Sequence, residues 1–186
     1  GDNYHFWPTD ISSATEVQQT IDAIIQRWAR IDGLVNNAGV NFPRLLVDEK
    51  APAGKYELNE AAFEKMVNIN QKGVFLMSQA VARQMVKQHD GVIVNVSSES
   101  GLEGSEGQSC YAATKAALNA LSLSLRTEYW DDNIKISSAT PGTTATAIWG
   151  TFEPPKAAQT AQQSAGHILK GVVNNDRLIY GDDTDA

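Results

Sequence analysis

GVIVNV, Gly91 to Val96, runs directly into Ser97-Ser98, and thirteen residues after Ser98 comes Tyr111-Ala112-Ala113-Thr114-Lys115. A short apolar run rich in valine and isoleucine reads as a strand buried on both faces, as in a parallel sheet. In open α/β sheets reactive groups gather outside the carboxyl ends of the strands, so a serine at that end, followed by a helix, is well placed for chemistry. Tyrosine and lysine at i and i+4 share one helix face, about 5–6 Å apart at Cβ. An ammonium beside a phenol favours the phenolate, which predicts a Tyr111 able to exchange a proton with an alcohol or carbonyl near neutral pH, with Ser98 steadying the substrate oxygen. Y-x-x-x-K alone also describes many ordinary helices with a half-buried tyrosine and a solvated lysine; the strand and serine upstream are what distinguish it here.

Working outward, Tyr4 to Trp7 reads as a short aromatic strand closed by Pro8, with Asp10-Ile11 after it. Ser13 and Glu16 form a capping-box pattern, and Val17, Ile21, Ile24, Ile25 and Trp28 recur at helical spacing, which predicts a helix over 13–30. Asp32 to Val35 is a second apolar strand entering the turn Asn37-Ala38-Gly39. Residues 41–59, with Pro43 and Pro52, form a loop long enough to cover a substrate, and its cations Arg44, Lys50 and Lys55 suit a phosphate. A long helix is predicted from the cap Asn59 to Gln88, its apolar stripe interrupted by Asn70, whose amide must find partners if it faces the core. The helix opening near Ser109 is apolar on more than one face, so it needs both the sheet and a second partner. A strand at 134–139, the turn Pro141-Gly142, the threonines 143, 144 and 146, a lid segment with Trp149 and Phe152, a helix over 157–174 and a strand over 177–180 complete the chain. Strands alternating with helices predict an α/β, Rossmann-like doubly wound parallel sheet in a single domain over 1–186.

Composition narrows the function. A net charge of −7 and 20% charged residues argue against a phosphate-backbone binder. No run of eighteen apolar residues and no basic, apolar leader is present, so the expected compartment is the cytoplasm. Cys110 is the single cysteine, and His5, His89 and His167 are far apart in sequence, so no disulfide and no metal cluster is expected.

Taken together, Asp10-Ile11, Asn36-Asn37-Ala38-Gly39, Asn70-x-x-Gly73, Ser98, Tyr111-x-x-x-Lys115 and Pro141-Gly142, in that order, resemble the short-chain dehydrogenases/reductases. Over about 4–118 the likeness is closest to a branch acting on a sugar-alcohol phosphate, whereas 137–186 is more like another branch, as a chimera or divergent member would be. The resemblance implies an oxidoreductase that interconverts a secondary alcohol and a ketone with NAD or NADP. It implies Tyr111 as general acid/base, Lys115 to lower its pKa and hold the cofactor ribose, Ser98 to position the substrate oxygen, and Asn70 to hold a water in the proton relay. Asp10 and Ile11 would meet the adenine ring, Asn37, Ala38, Gly39, Pro141 and Gly142 would line the cofactor, and Thr146 would meet the nicotinamide carboxamide. Homodimers or homotetramers through the helix at 109 and the long helix before it are implied as well.

The family's opening T-G-x-x-x-G-x-G strand-turn-helix does not occur before Tyr4. Those glycines let a pyrophosphate approach a helix N-terminus. The expected sheet is therefore truncated at its N-terminal side, with an unpaired edge at the strand near Asp32. Two other readings stand beside the dehydrogenase: a non-catalytic Rossmann-like remnant that oligomerises, and a dehydratase or epimerase using the same Tyr/Lys chemistry.

Overall fold

Helix α1 (Ala14–Trp28) starts where Ser13 Oγ accepts the Glu16 amide and ends at Ala29 in the left-handed region. The expected capping box is half formed: Glu16 Oε2 accepts from Asp10 N at 2.9 Å and so ties the preceding turn, not Ser13, to the helix. The computed structural model describes residues 4–50, 54–150 and 153–181; Pro52 and Phe152 of the sequence reading lie outside them. Strand β1 (Gly33–Asn36) follows α1, and Asn59 caps α2 (Glu60–Val67) by accepting the Ala62 amide. The predicted long helix is continuous but not uniform, because a π-helical turn (Asn68–Gly73) separates α2 from α3 (Val74–Gln88) and carries Asn70. Such turns insert a residue into the helical ladder and are frequent at functional sites.

Strand β2 (Gly91–Val96) leads through a 3₁₀ turn (Glu99–Gly101) to α4 (Ser109–Glu128), then β3 (Ile134–Thr140). Two-residue strands β4 (Thr144–Ala145) and β5 (Gln159–Thr160) pair with each other in parallel. Helix α5 (Ala161–Val173) has Thr160 and Gln163 as a full capping box, so it begins four residues later than the sequence suggests, and β6 (Leu178–Tyr180) closes the sheet. The main sheet is all parallel in the order β1-β2-β3-β6.

Its two faces are covered from opposite sides, which makes it doubly wound. Ile93 and Ile136 pack with Val17, Ile21, Val81 and Met85 from α1 and α3, while Val94, Ala139 and Ile179 pack against Ile168 and Val172 of α5. Tyr4 to Trp7 is not a strand: among the described residues no neighbour offers it a ladder, and Tyr4 and Phe6 stay exposed while Trp7 stacks edge-on against Trp28 at 5.3 Å. Strand β1 is an edge, as expected, and its second face is bare: Leu34 and Asn36 are buried but Val35 is 62% exposed.

A polar chain fastens the sheet to the helices on one side. Asn36 Nδ2 donates to Ser78 Oγ (3.0 Å) and Asn95 Oδ1 (2.8 Å), Asn95 Nδ2 donates to Ser122 Oγ (2.9 Å), and Ser122 Oγ donates to Leu118 O. Each member is buried and satisfied, the condition under which a polar network stabilises rather than costs. Asn95→Leu leaves the Asn36 amide and the Ser122 hydroxyl without their shared partner; urea unfolding is expected to show a loss of about 2–4 kcal/mol.

Candidate active site

The carboxyl ends of β1, β2 and β3 bring the sequence-predicted residues to one edge of the sheet. Asn37 and Ala38 lie exposed after β1, Ser98 half-buried after β2, and Pro141 and Gly142 half-buried after β3. Helix α4 crosses below this edge with Tyr111 and Lys115 facing in, 9% and 4% exposed. Lys115 Nζ donates to Val96 O at 2.7 Å and lies 5.6 Å from the centroid of the Tyr111 ring. The Ser98 side chain comes near enough to the Tyr111 hydroxyl to oppose the rise in its pKa, and its Oγ accepts from Ser100 N at 3.1 Å.

Burial sets the electrostatics of the pair. It pushes the Tyr111 phenol above its ordinary value, opposed by the Ser98 side chain, and it pushes the Lys115 ammonium down to about 8. The sequence reading expected Lys115 to draw the phenol down; in this geometry desolvation of the phenolate outweighs the nearby cation, which is spent on a neutral carbonyl. Tyr111 is thus a neutral phenol at neutral pH.

Asn70 is fully buried, and its side chain braces the turn after β1: Oδ1 accepts from Val40 N and Nδ2 donates to Val40 O, both at 2.8 Å, and to Thr114 Oγ1 at 3.2 Å. Gly39 sits against this brace, where an added Cβ would come 3.4 Å from Asn70 Oδ1 and 3.5 Å from Lys115 Nζ. Gly39 thus lies directly beside both the Asn70 amide and the Lys115 ammonium. Asp10 is exposed at the far end of the edge; its carboxylate accepts from the Ser12 hydroxyl (2.7 Å) and amide (2.9 Å), and these bonds lower its pKa. Ile11 packs on Gly73, where a Cβ would meet its Cδ1 at 2.7 Å, so that glycine seats the Asp10-Ile11 turn on the π-helical segment. Thr146 is exposed and turned toward its own chain, Oγ1 accepting from Ile148 N at 3.5 Å. A Gly-rich turn of the kind that seats a dinucleotide's pyrophosphate is not among the 186 residues.

Several contributors escape the sequence reading. Ser97 Oγ donates to Lys115 O at 2.8 Å, and Thr114 Oγ1 donates to Tyr111 O at 2.8 Å. Gly101 packs on the α4 backbone, where a Cβ would stand 2.8 Å from Lys115 C and 2.9 Å from Ala116 N. Ser97 and Thr114 were within the quoted stretches, but only the crossing of β2 and α4 gives them partners. Among the described residues no His/Cys/Asp/Glu group could hold a metal, and no helix is long and apolar enough to cross a membrane.

A parallel doubly wound sheet with a Ser/Tyr/Lys set at its carboxyl edge defines a class of nucleotide-dependent α/β enzymes. Within it, residues 1–157 match the short chain dehydrogenase family, and the chain belongs to that family. It is 83% identical over 142 residues to sorbitol-6-phosphate 2-dehydrogenase of Klebsiella pneumoniae, covering 76% of this chain and 53% of that protein. It is 34% identical to 3-oxoacyl-(acyl-carrier-protein) reductase FabG of Thermotoga maritima, covering 82% of this chain and 58% of that protein. The chain spans about half the length of the curated relatives it matches. Among solved structures, ElxO with NADP bound superposes with a TM-score of 0.81 at 26% identity, covering 96% of this chain and 76% of ElxO. NAD⁺-bound xylitol dehydrogenase superposes with a TM-score of 0.66 at 30% identity, covering 75% of this chain and 51% of that one.

The buried lysine makes a stability prediction with a definite sign. Its pKa is depressed from 10.5 in the open chain to about 8 in the fold, so between these values the unfolded chain binds more protons and stability rises with pH. Below 8 the lysine is charged in both states and its burial cost is fully present. Lys115→Met is expected to raise stability by about 1–3 kcal/mol at pH 7, with the gain shrinking by pH 9.5, as read by urea unfolding at the two pH values.

Proposed function

We propose that this chain carries the proton-transfer and nicotinamide-facing part of an NAD(P)-dependent oxidoreductase that interconverts a secondary alcohol and a ketone. The observation that carries the reading is the buried Tyr111 and Lys115 side by side on α4, with Lys115 Nζ donating to Val96 O at the carboxyl end of β2, where Ser98 follows. Bound nicotinamide supplies or accepts the hydride. In the reducing direction Tyr111 donates its phenolic proton to the substrate oxygen, which Ser98 holds in place; in the oxidising direction Tyr111 takes the hydroxyl proton. Lys115, reached past Gly39, holds the ribose and carries the charge that balances a transient phenolate. Asn70 acts as a positioning residue, fixing Val40 and Thr114 around the lysine, and is the relay member nearest to it. Asp10, Ile11, Asn37, Ala38, Pro141, Gly142 and Thr146 line the cofactor path from adenine to carboxamide. NAD and NADP are both open to this set.

A sugar-alcohol phosphate is the leading substrate, on the strength of the 83% identity with sorbitol-6-phosphate 2-dehydrogenase. Arg44 suits the phosphate: it pairs with no carboxylate among the described residues, its Nη1 donates to Pro43 O, and its backbone is pinned to Gly107 beside α4. A homodimer or homotetramer in the cytoplasm is the proposed state. Its contact is the groove of about 370 Å³ between the π-helical turn, α3 and α4, lined by Val67, Lys72, Phe75 and Leu121. A non-catalytic, oligomerising role is the second reading, favoured by the bare edge at Val35.

Titration of NADH and NADPH, followed by energy transfer from the tryptophans, separates the two: saturable binding is expected, and its absence in a folded chain favours the second. Tyr111→Phe is expected to retain that binding and lose about 10²–10⁴-fold in turnover; equal turnover ends the proton-transfer reading. Because burial raises the Tyr111 pKa, alcohol oxidation is expected to accelerate with pH through the alkaline range while ketone reduction stays level through neutrality. Phe75→Glu is expected to shift the oligomer toward monomer in light-scattering chromatography.

A further inference from the structure

Two buried side-chain carbonyl oxygens on segments next to the Tyr111 cluster have no hydrogen-bond partner among the described residues: Asn41 Oδ1 and Gln108 Oε1. A buried acceptor left unmade costs about 1–3 kcal/mol, so two in one small region call for a reason. Asn41 lies between Val40 and Phe42, and both neighbours pack against the cluster of Met66, Cys110 and Tyr111. Gln108 is the residue that precedes α4, three before Tyr111, and its backbone carbonyl accepts from Ala112 N at 2.7 Å. The two segments are fastened together: Arg44 N donates to Gly107 O at 2.9 Å, and Gly107 has φ +73°, with an added Cβ 3.8 Å from the Arg44 backbone. Two unpaired side-chain carbonyls thus stand on adjoining segments that flank the Tyr111 cluster, and neither belongs to the proton-transfer or cofactor set.

The chemistry of an amide beside a reacting alcohol selects the occupant. A hydroxyl both donates and accepts, so it satisfies an amide in either orientation, whereas an alkyl chain satisfies neither. We propose that Asn41 and Gln108 read the hydroxyl groups of a polyhydroxy substrate next to the carbon on which Tyr111 acts, and so set a preference for polyols over simple secondary alcohols. The inference rests on the oxidoreductase reading and deepens it. It also assigns a use to two groups that weaken the empty fold, the usual trade between a binding site and stability.

Asn41→Leu and Gln108→Leu, singly and together, test it, with Asn41→Ser and Gln108→Met as smaller changes should the leucines not fold. The expected result has two parts. Melting temperature without ligand stays level or rises, because a buried unpaired carbonyl has been removed. Affinity for sorbitol 6-phosphate and for sorbitol, read by thermal shift and calorimetry, falls about 10- to 100-fold per residue, and KM for the polyol rises by a similar factor while KM for 2-butanol is unmoved. A ligand-free melting temperature lowered by several degrees with polyol affinity unchanged overturns the proposal, since the amides then serve the fold. A wild-type chain that binds neither sorbitol nor its phosphate overturns it too. If the wild type binds polyol but turns it over with neither nicotinamide, the oxidoreductase reading fails and the affinities still decide the amides. If it turns over and the variants keep its KM, the amide assignment falls alone.

Discussion

The Lys115 ammonium, buried and donating to Val96 O at 2.7 Å, fixes where helix α4 meets strand β2, and most of the site follows from that contact. A cation taken out of water needs close partners, and the chain supplies a strand-end carbonyl in place of a carboxylate. Ser97 Oγ reinforces the same crossing by donating to Lys115 O, and Gly101 lets the turn after β2 lie directly on the α4 backbone. With the crossing fixed at three points, Tyr111, one turn earlier on α4, comes beside Ser98 without needing a contact of its own to place it.

The electrostatic consequence runs against the simplest reading of a tyrosine and a lysine on one helix face. Spacing alone suggests that the cation pulls the phenol down. In the fold both groups are desolvated, and the low dielectric raises the phenol and lowers the ammonium together. At neutral pH the phenol is protonated, while the ammonium, with its pKa lowered only to about 8, keeps its charge. Desolvation weighs likewise on Asn41 and Gln108, whose side-chain carbonyls find no partner among the described residues.

The rest of the molecule holds these groups still. The Asn36–Asn95–Ser122 chain crosses from β1 through β2 to α4, and Asn70 on the π-helical turn ties the loop after β1 to α4. Buried amides in such places cost stability unless every donor and acceptor is matched, and here they are matched across three or four elements. Strand β1 is an edge of the sheet, with Val35 exposed. Asn37, Ala38 and Gly39 follow it directly, so the candidate site borders that edge.

The sequence by itself determined the parallel α/β class, the main strands and helices from α1 onward, and the position of Ser98 just after β2 with Tyr111 and Lys115 on one face of the helix that follows. Apolar runs, caps such as Ser13 and Asn59, and the i, i+4 spacing are local signals, and local physics writes them into the chain. It misread Tyr4 to Trp7 as a strand, because β pattern records what a segment can pair with and not whether a neighbour exists. It did not reveal the π-helical turn, the roles of Ser97 and Thr114, or the unpaired carbonyls of Asn41 and Gln108. Those depend on which atoms come within about 3 Å of one another across elements far apart in sequence. Only the tertiary structure decides such distances, and with them the direction in which each buried group's proton affinity moves.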